Sequence, residues 1–187
     1  MTKMLIGIIL YLSTSCTTEK TFHDKVVDFA NVQRTGTYQL KDNKGTREKL
    51  ISLISSLKSN EINVDTFIDK VLETQNEAML WELTKFAYDE NVLTDVTIWD
   101  LKLESSIHAS EVADSSIVSV GEVCFECIFR IMNTKPEEPL LNLKYRKLFL
   151  IKLYEYKHLR IWLKNRKTLS LNELKVDLDN EIDSIHH

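Results

Sequence analysis

The sequence predicts an all-α protein, an irregular helical bundle or a short stack of α-hairpins, and three observations carry that expectation. Only 4 Gly and 2 Pro occur in 187 residues, too little turn chemistry for the many hairpins of a β-sandwich or barrel. Apolar residues recur at i, i+3, i+4 and i+7 in one segment after another, the spacing of a single helix face. Three Ser/Thr-x-x-Glu tetrads stand before such segments, where a hydroxyl and a carboxylate satisfy the free backbone donors of a helix start. A composition of 43% hydrophobic and 28% charged residues is that of an ordinary globular domain.

At the N-terminus Lys3 precedes a nine-residue apolar run from Met4 to Leu12, and Ser13, Thr14 and Ser15 place small residues before Cys16. Charged region, apolar region and small cleavage residues follow the order of a secretory signal. The run is far short of the ~20 apolar residues that span a bilayer. Small residues ending at a Cys resemble the lipobox of bacterial lipoproteins, in which the Cys sulfur is acylated and the chain is cut just before it. Ser13 departs from that pattern, which more often has an aliphatic residue three positions before the Cys. The resemblance implies a signal peptide over residues 1–15 and a lipid on Cys16; the polar residues that follow suit a tether over 16–21, and the helical spacing beyond it predicts a single helical domain over 22–187. Two other readings of the same residues stay open: an ordinary signal cut after Ser15, and a first core helix that is never removed. The second is the weaker, because residues 14–20 offer no apolar face to continue such a helix.

Along the domain, Phe22, Val26, Phe29 and Ala30 give a weak first helix. Residues 36–45, with Gly at both ends, read as a connection with one extended turn at Tyr38 to Leu40. From Thr46 the signal strengthens: Leu50, Leu53, Ile54 and Leu57 form one stripe, and after a break at residues 60–63, Val64, Phe67, Ile68, Val71 and Leu72 form another. Thr74 and Glu77 fit a capping box opening a helix whose apolar residues, Ala78, Leu80, Trp81, Leu83, Ala87 and Tyr88, spread over most of its circumference. That breadth predicts a central element flanked on two sides. Residues 92–103 fit strand alternation as well as a helical period and are left undecided, and residues 105–116 are a polar, Ser-rich stretch of loop character.

Ser119 and Glu122 make a second capping box, opening a helix whose inward stripe is Val120, Val123, Cys124, Cys127, Ile128 and Ile131. Residues 145–165, without Gly or Pro, predict the longest helix. Ser170 and Glu173 make the third box, before Leu171, Leu174, Leu178 and Ile182. Residues 81–87 and 120–128 give the whole a slight similarity to HEAT and armadillo helical proteins, without a fixed repeat period.

Motifs for chemistry are few. Cys124 and Cys127 have the spacing of a redox pair or half a zinc site. No second pair completes a site, however, and both lie on the apolar stripe of their helix, where a free Cys packs as a small hydrophobe. His108 and Glu111 could lie together on a helix but lack a third ligand, and His186 and His187 belong to a chain end. No nucleophile elbow, HExxH, Walker or Rossmann motif occurs. The sequence therefore predicts no catalytic residue, no metal and no cofactor. With 28 Asp+Glu against 24 Lys+Arg, it also predicts no nucleic-acid partner.

The charges are not evenly spread. Residues 144–167 hold nine basic residues and one acidic residue, Glu155, whereas residues 168–187 hold five acidic residues and one Lys. Antiparallel packing of the last helix on the preceding one would neutralise both blocks. If the basic face stays open, Lys144, Arg146, Lys147, Lys157, Arg160, Lys164 and Arg166 form a partner surface for an acidic protein or for anionic headgroups, with aromatics among them. The functional expectation is a membrane-anchored exported lipoprotein, in the bacterial cell envelope and facing periplasm or exterior, whose helical domain binds a protein without catalysis. Immunity proteins that neutralise toxins are an analogy for such a role. The alternative is an envelope enzyme or small-ligand carrier with a pocket among the helices between Trp81 and Trp162.

Overall fold

The computed structural model describes residues 20–38, 43–74, 76–97, 117–133 and 140–186. Cys16 and residues 1–15, where a signal is expected, lie outside the described residues, as do His108, Glu111 and the rest of the Ser-rich stretch. Among the described residues there are eight helices and one two-stranded sheet, so the fold is all-α. In chain order these are α1 (Phe22–Asn31), α2 (Lys44–Lys58), α3 (Val64–Leu72), α4 (Glu77–Phe86), β1 (Val92–Thr97), β2 (Ile117–Ser119), α5 (Val120–Asn133), α6 (Leu140–Glu155), α7 (Leu159–Lys164) and α8 (Leu171–His186). None of these helices is long and apolar enough to cross a membrane.

Several of the helices begin where side chains satisfy their free donors, whereas α2 and α7 start without a side-chain cap. Thr21 accepts from the Asp24 amide while Asp24 accepts from the Thr21 amide, a capping box that starts α1. Asn63 caps α3 by accepting from the Thr66 amide at 2.8 Å. The predicted boxes at Ser119/Glu122 and Ser170/Glu173 both form. The one expected at Thr74 does not. Asn76 caps α4 instead, accepting from the Met79 amide at 2.8 Å, and the Glu77 carboxylate accepts from the Leu171 amide at 2.9 Å at the start of α8. A long-range partner thus takes the carboxylate that a local box would have used.

A second correction concerns the helix expected over residues 145–165. It is broken in two, because Lys157 adopts the left-handed conformation (φ 58°). Its amide donates to Tyr154 O (2.9 Å) and the His158 amide donates to Leu153 O (2.8 Å). These are the two bonds of a Schellman C-cap, here made without glycine. Of the undecided residues 92–103, Val92–Thr97 form strand β1, antiparallel to β2 with Val92 opposite Ser119 and an irregularity along the pair, and 98–103 lie outside the described residues.

One hydrophobic cluster draws on every helix, including Ala30 of α1, Leu50 of α2, Phe67 of α3, Leu80 of α4, Phe149 of α6, Trp162 of α7 and Leu178 of α8. At its centre is α5, which packs against α3, α4, α6 and α8. Its predicted stripe is fully buried, and so are Phe125, Glu126 and Phe129 on other faces. Glu126 is tolerated there because Arg130, one turn on, donates to it at 2.7 Å. Gly121 lets α5 start against the preceding loop: a Cβ at this position would lie 2.9 Å from both Ala87 O and Asp89 N.

Candidate functional site

The basic block is divided by the fold into an inward and an outward set. Arg146 is wholly buried and its Nε donates to Asp179 of α8 at 3.0 Å. Arg166 is also wholly buried. Its Nε donates to Asp177 Oδ2 (2.7 Å), Nη2 donates to Phe29 O (3.0 Å) and to Glu181, and Nη1 donates to Val32 O (3.2 Å) and Trp162 O (3.1 Å). Its guanidinium lies over the Trp162 ring, 4.5 Å from the centroid. These two arginines belong to an ionic seam between α8 and its neighbours, so the acidic block does neutralise part of the basic one.

The outward set lies on and around α7. Lys157, Arg160, Lys164 and Lys167 are exposed, and Ile161 among them is 39% exposed. Leu159, Trp162 and Leu163 point into the core. Positions 160, 161 and 164 recur at helical spacing and so share one side of α7, while Lys157 and Lys167 lie in the turns before and after it. Lys147 is half-buried on α6, and Lys144 belongs to the same helix.

Around Arg166 the seam closes on Glu181. Arg34, in the extended segment after α1, places Nε 2.8 Å from Asp177 Oδ1 and Nη2 3.5 Å from Glu181 Oε1. Trp162 Nε1 donates to Glu181 Oε2 at 2.8 Å. Burial pushes the Glu181 carboxyl up to about 7, and the neighbouring Asp177 charge pushes the same way, against the pull of Arg166 and Trp162. The charge blocks of the sequence marked this region, but not which of their residues meet here; the finer trace is the pair of i, i+4 spacings, Trp162 with Arg166 and Asp177 with Glu181, which would place each pair on one helix side.

Beside the seam runs an open groove of about 390 Å³, lined by Arg34, Thr35, Leu169, Asn172, Glu173, Val176, Asp177 and Asn180. Val176 is 54% exposed in it. A smaller notch of about 200 Å³ lies between Tyr88, Asp89, Ser119, Tyr154 and Lys157. There the Tyr88 and Tyr154 rings stack at 5.1 Å, and burial pushes the Tyr88 phenol up to about 12. At Asp89 burial acts upward, but bonds from Asn91 and Lys58 outweigh it and hold the carboxyl below its ordinary range. Neither hollow is lined by Trp81 or Trp162.

Cys124 and Cys127 are free thiols, both buried, and burial raises both well above the ordinary thiol range. A thiol held protonated is a poor nucleophile and a poor metal ligand, which suits packing. Among the described residues no three His, Cys, Asp or Glu side chains are grouped to hold a metal. His158 is half-buried with Nδ1 unbonded, and His23 packs edge-on against Tyr156. Compared with known proteins, the chain matches no family, no curated protein and no solved structure.

Proposed function

We propose that this protein is an exported lipoprotein, anchored in the cell envelope through a lipid on Cys16, whose helical domain binds another protein. The lipid-anchor part rests on the N-terminal sequence. The binding part is supported chiefly by the groove along α8, where the exposed Val176 lies among the donor Arg34, the acceptors Glu173 and Asp177, and Thr35, Asn172 and Asn180, which can both accept and donate. An apolar centre with a polar rim is the composition of a protein-binding patch.

Two measurements test the two parts separately. Mass spectrometry of the membrane fraction should find an acylated Cys16 at the N-terminus. An intact segment of residues 1–15 ahead of an unmodified Cys16 overturns the anchor. A photo-crosslinking residue placed at Val176 in living cells should give a discrete adduct with a protein, whereas the same residue at Ile51, which is 44% exposed on α2, should give none. Adducts of equal yield at both positions, or none at Val176, count against the groove as the binding surface.

A further inference from the structure

The outward stripe of α7 is separate from the groove residues and has its own chemistry. On α7 it exposes Arg160, Ile161 and Lys164, and Lys157 and Lys167 are exposed in the turns that flank the helix. Among the described residues none of these four cations is ion-paired to a carboxylate; Arg160 donates through Nη2 to Lys85 O at 3.2 Å. Asp89, Glu90 and Glu155 line the notch with Lys157; Asp89 is paired with Lys58 and Glu155 with Lys152, and on α1 Asp24 is engaged by the Thr21 cap and Asp28 by Lys20.

The position of the stripe relative to the chain entry is also fixed. The His23 ring, one residue into α1, lies 4.3 Å from the Tyr156 ring at the start of the stripe. At the other end of both helices Asn165 Nδ2 donates to Ala30 O at 3.0 Å. Helix α1 therefore runs parallel to α7, and the tether enters the fold beside Lys157. The five steps from Cys16 to Thr21 reach at most about 18 Å, taking ~3.6 Å per fully extended residue.

We infer that the α7 stripe seats on the anionic phospholipid headgroups of the membrane that holds the lipid. This inference rests on the lipid-anchor reading of Cys16. The lipid supplies attachment and the stripe supplies orientation. Each Lys or Arg near an anionic leaflet raises partitioning about fivefold, and long basic side chains can lay their stems along the interface while Ile161 enters it. The short tether keeps these charges close to the surface, where screening is incomplete.

The test uses the mature lipidated chain reconstituted into vesicles of phosphatidylcholine alone or of phosphatidylcholine mixed with phosphatidylglycerol. An Ile161→Cys substitution takes an environment-sensitive label, since Cys124 and Cys127 are buried and Cys16 is capped by lipid. The label should move into an apolar environment only in the anionic vesicles, return to water at high salt, and stay in water when Arg160→Glu and Lys164→Glu are added. A conservative Arg160→Lys/Lys164→Arg pair should restore the shift and shows that the fold tolerates change at these sites. A label that reports water in both vesicles, or a shift that survives charge reversal, overturns the inference. So does protection that appears in neutral vesicles only when an acidic protein is added, which assigns the stripe to that protein. A mature chain with no acyl mass on Cys16 overturns the anchor reading and this inference together, whereas an acylated chain with an unmoved label overturns this inference alone.

Discussion

Glu181 is 1% exposed, receives the Trp162 indole N–H, pairs with Arg166 and lies near Arg34 and Asp177. Its carboxyl is raised from its ordinary 4.5 to about 7 by burial first of all. The consequence for stability follows from proton linkage. Between about pH 4.5 and 7 the native state holds a proton that the unfolded chain has released, so stability falls as pH rises through this window, by an amount on the order of 3 kcal/mol. Hydrogen bonds that lower the carboxyls of Asp24 and Glu173 act with the opposite sign, but below that window, where those groups titrate. Unfolding by denaturant at a series of pH values should show a decline from pH 5 to about 7 that flattens in Glu181→Gln. Parallel curves for the two proteins would show that Glu181 is not the group responsible.

At the scale of elements, the break between α6 and α7 has an identifiable cost. Lys157 sits at φ 58°, a conformation about 1 kcal/mol or more unfavourable for an L side chain and free of that penalty for glycine. Lys157→Gly should therefore raise stability by about 1 kcal/mol, while Lys157→Ala, which keeps the Cβ, should leave it nearly unchanged. Equal effects of the two substitutions would point to the charge rather than the backbone. The same residue shows why part of the fold was not legible in the sequence: a Schellman cap without glycine leaves no local mark, so residues 145–165 read as one helix. The boxes at Ser119/Glu122 and Ser170/Glu173 were legible because both partners lie within one turn. Thr74 misled because Glu77 bonds Leu171, 94 positions away. Likewise the central position of α5 could not be read off its charged residues, because Glu126 enters the core only with Arg130 to pair it.

Across the whole molecule, Arg166 joins the two ends of the described chain. It bonds the carbonyls of Phe29 within α1 and Val32 just after it, the Trp162 carbonyl of α7, and two carboxylates of α8. The extended segment after α1 is held in the same place by Arg34 N to Asn165 O (2.9 Å) and Tyr38 N to Thr168 O (3.0 Å). The charge asymmetry in the sequence marked this region, but the residues that matter for the fold, Arg146 and Arg166, could not be told apart from Lys157, Arg160 and Lys164 until a helix direction was known. Removing one partner of a buried ion network leaves the others uncompensated, at about 3 to 5 kcal/mol. Arg166→Met, close in volume, should lower stability by that amount. Because the bonds lost all join α1, α7 and α8, amide exchange should quicken first in α1 and α8 while α4 and α5 keep their protection. Uniform loss of protection over all helices would instead mean that the seam and the α4/α5 core unfold as one unit, and an unchanged midpoint would mean that the seam contributes nothing to holding the chain ends together.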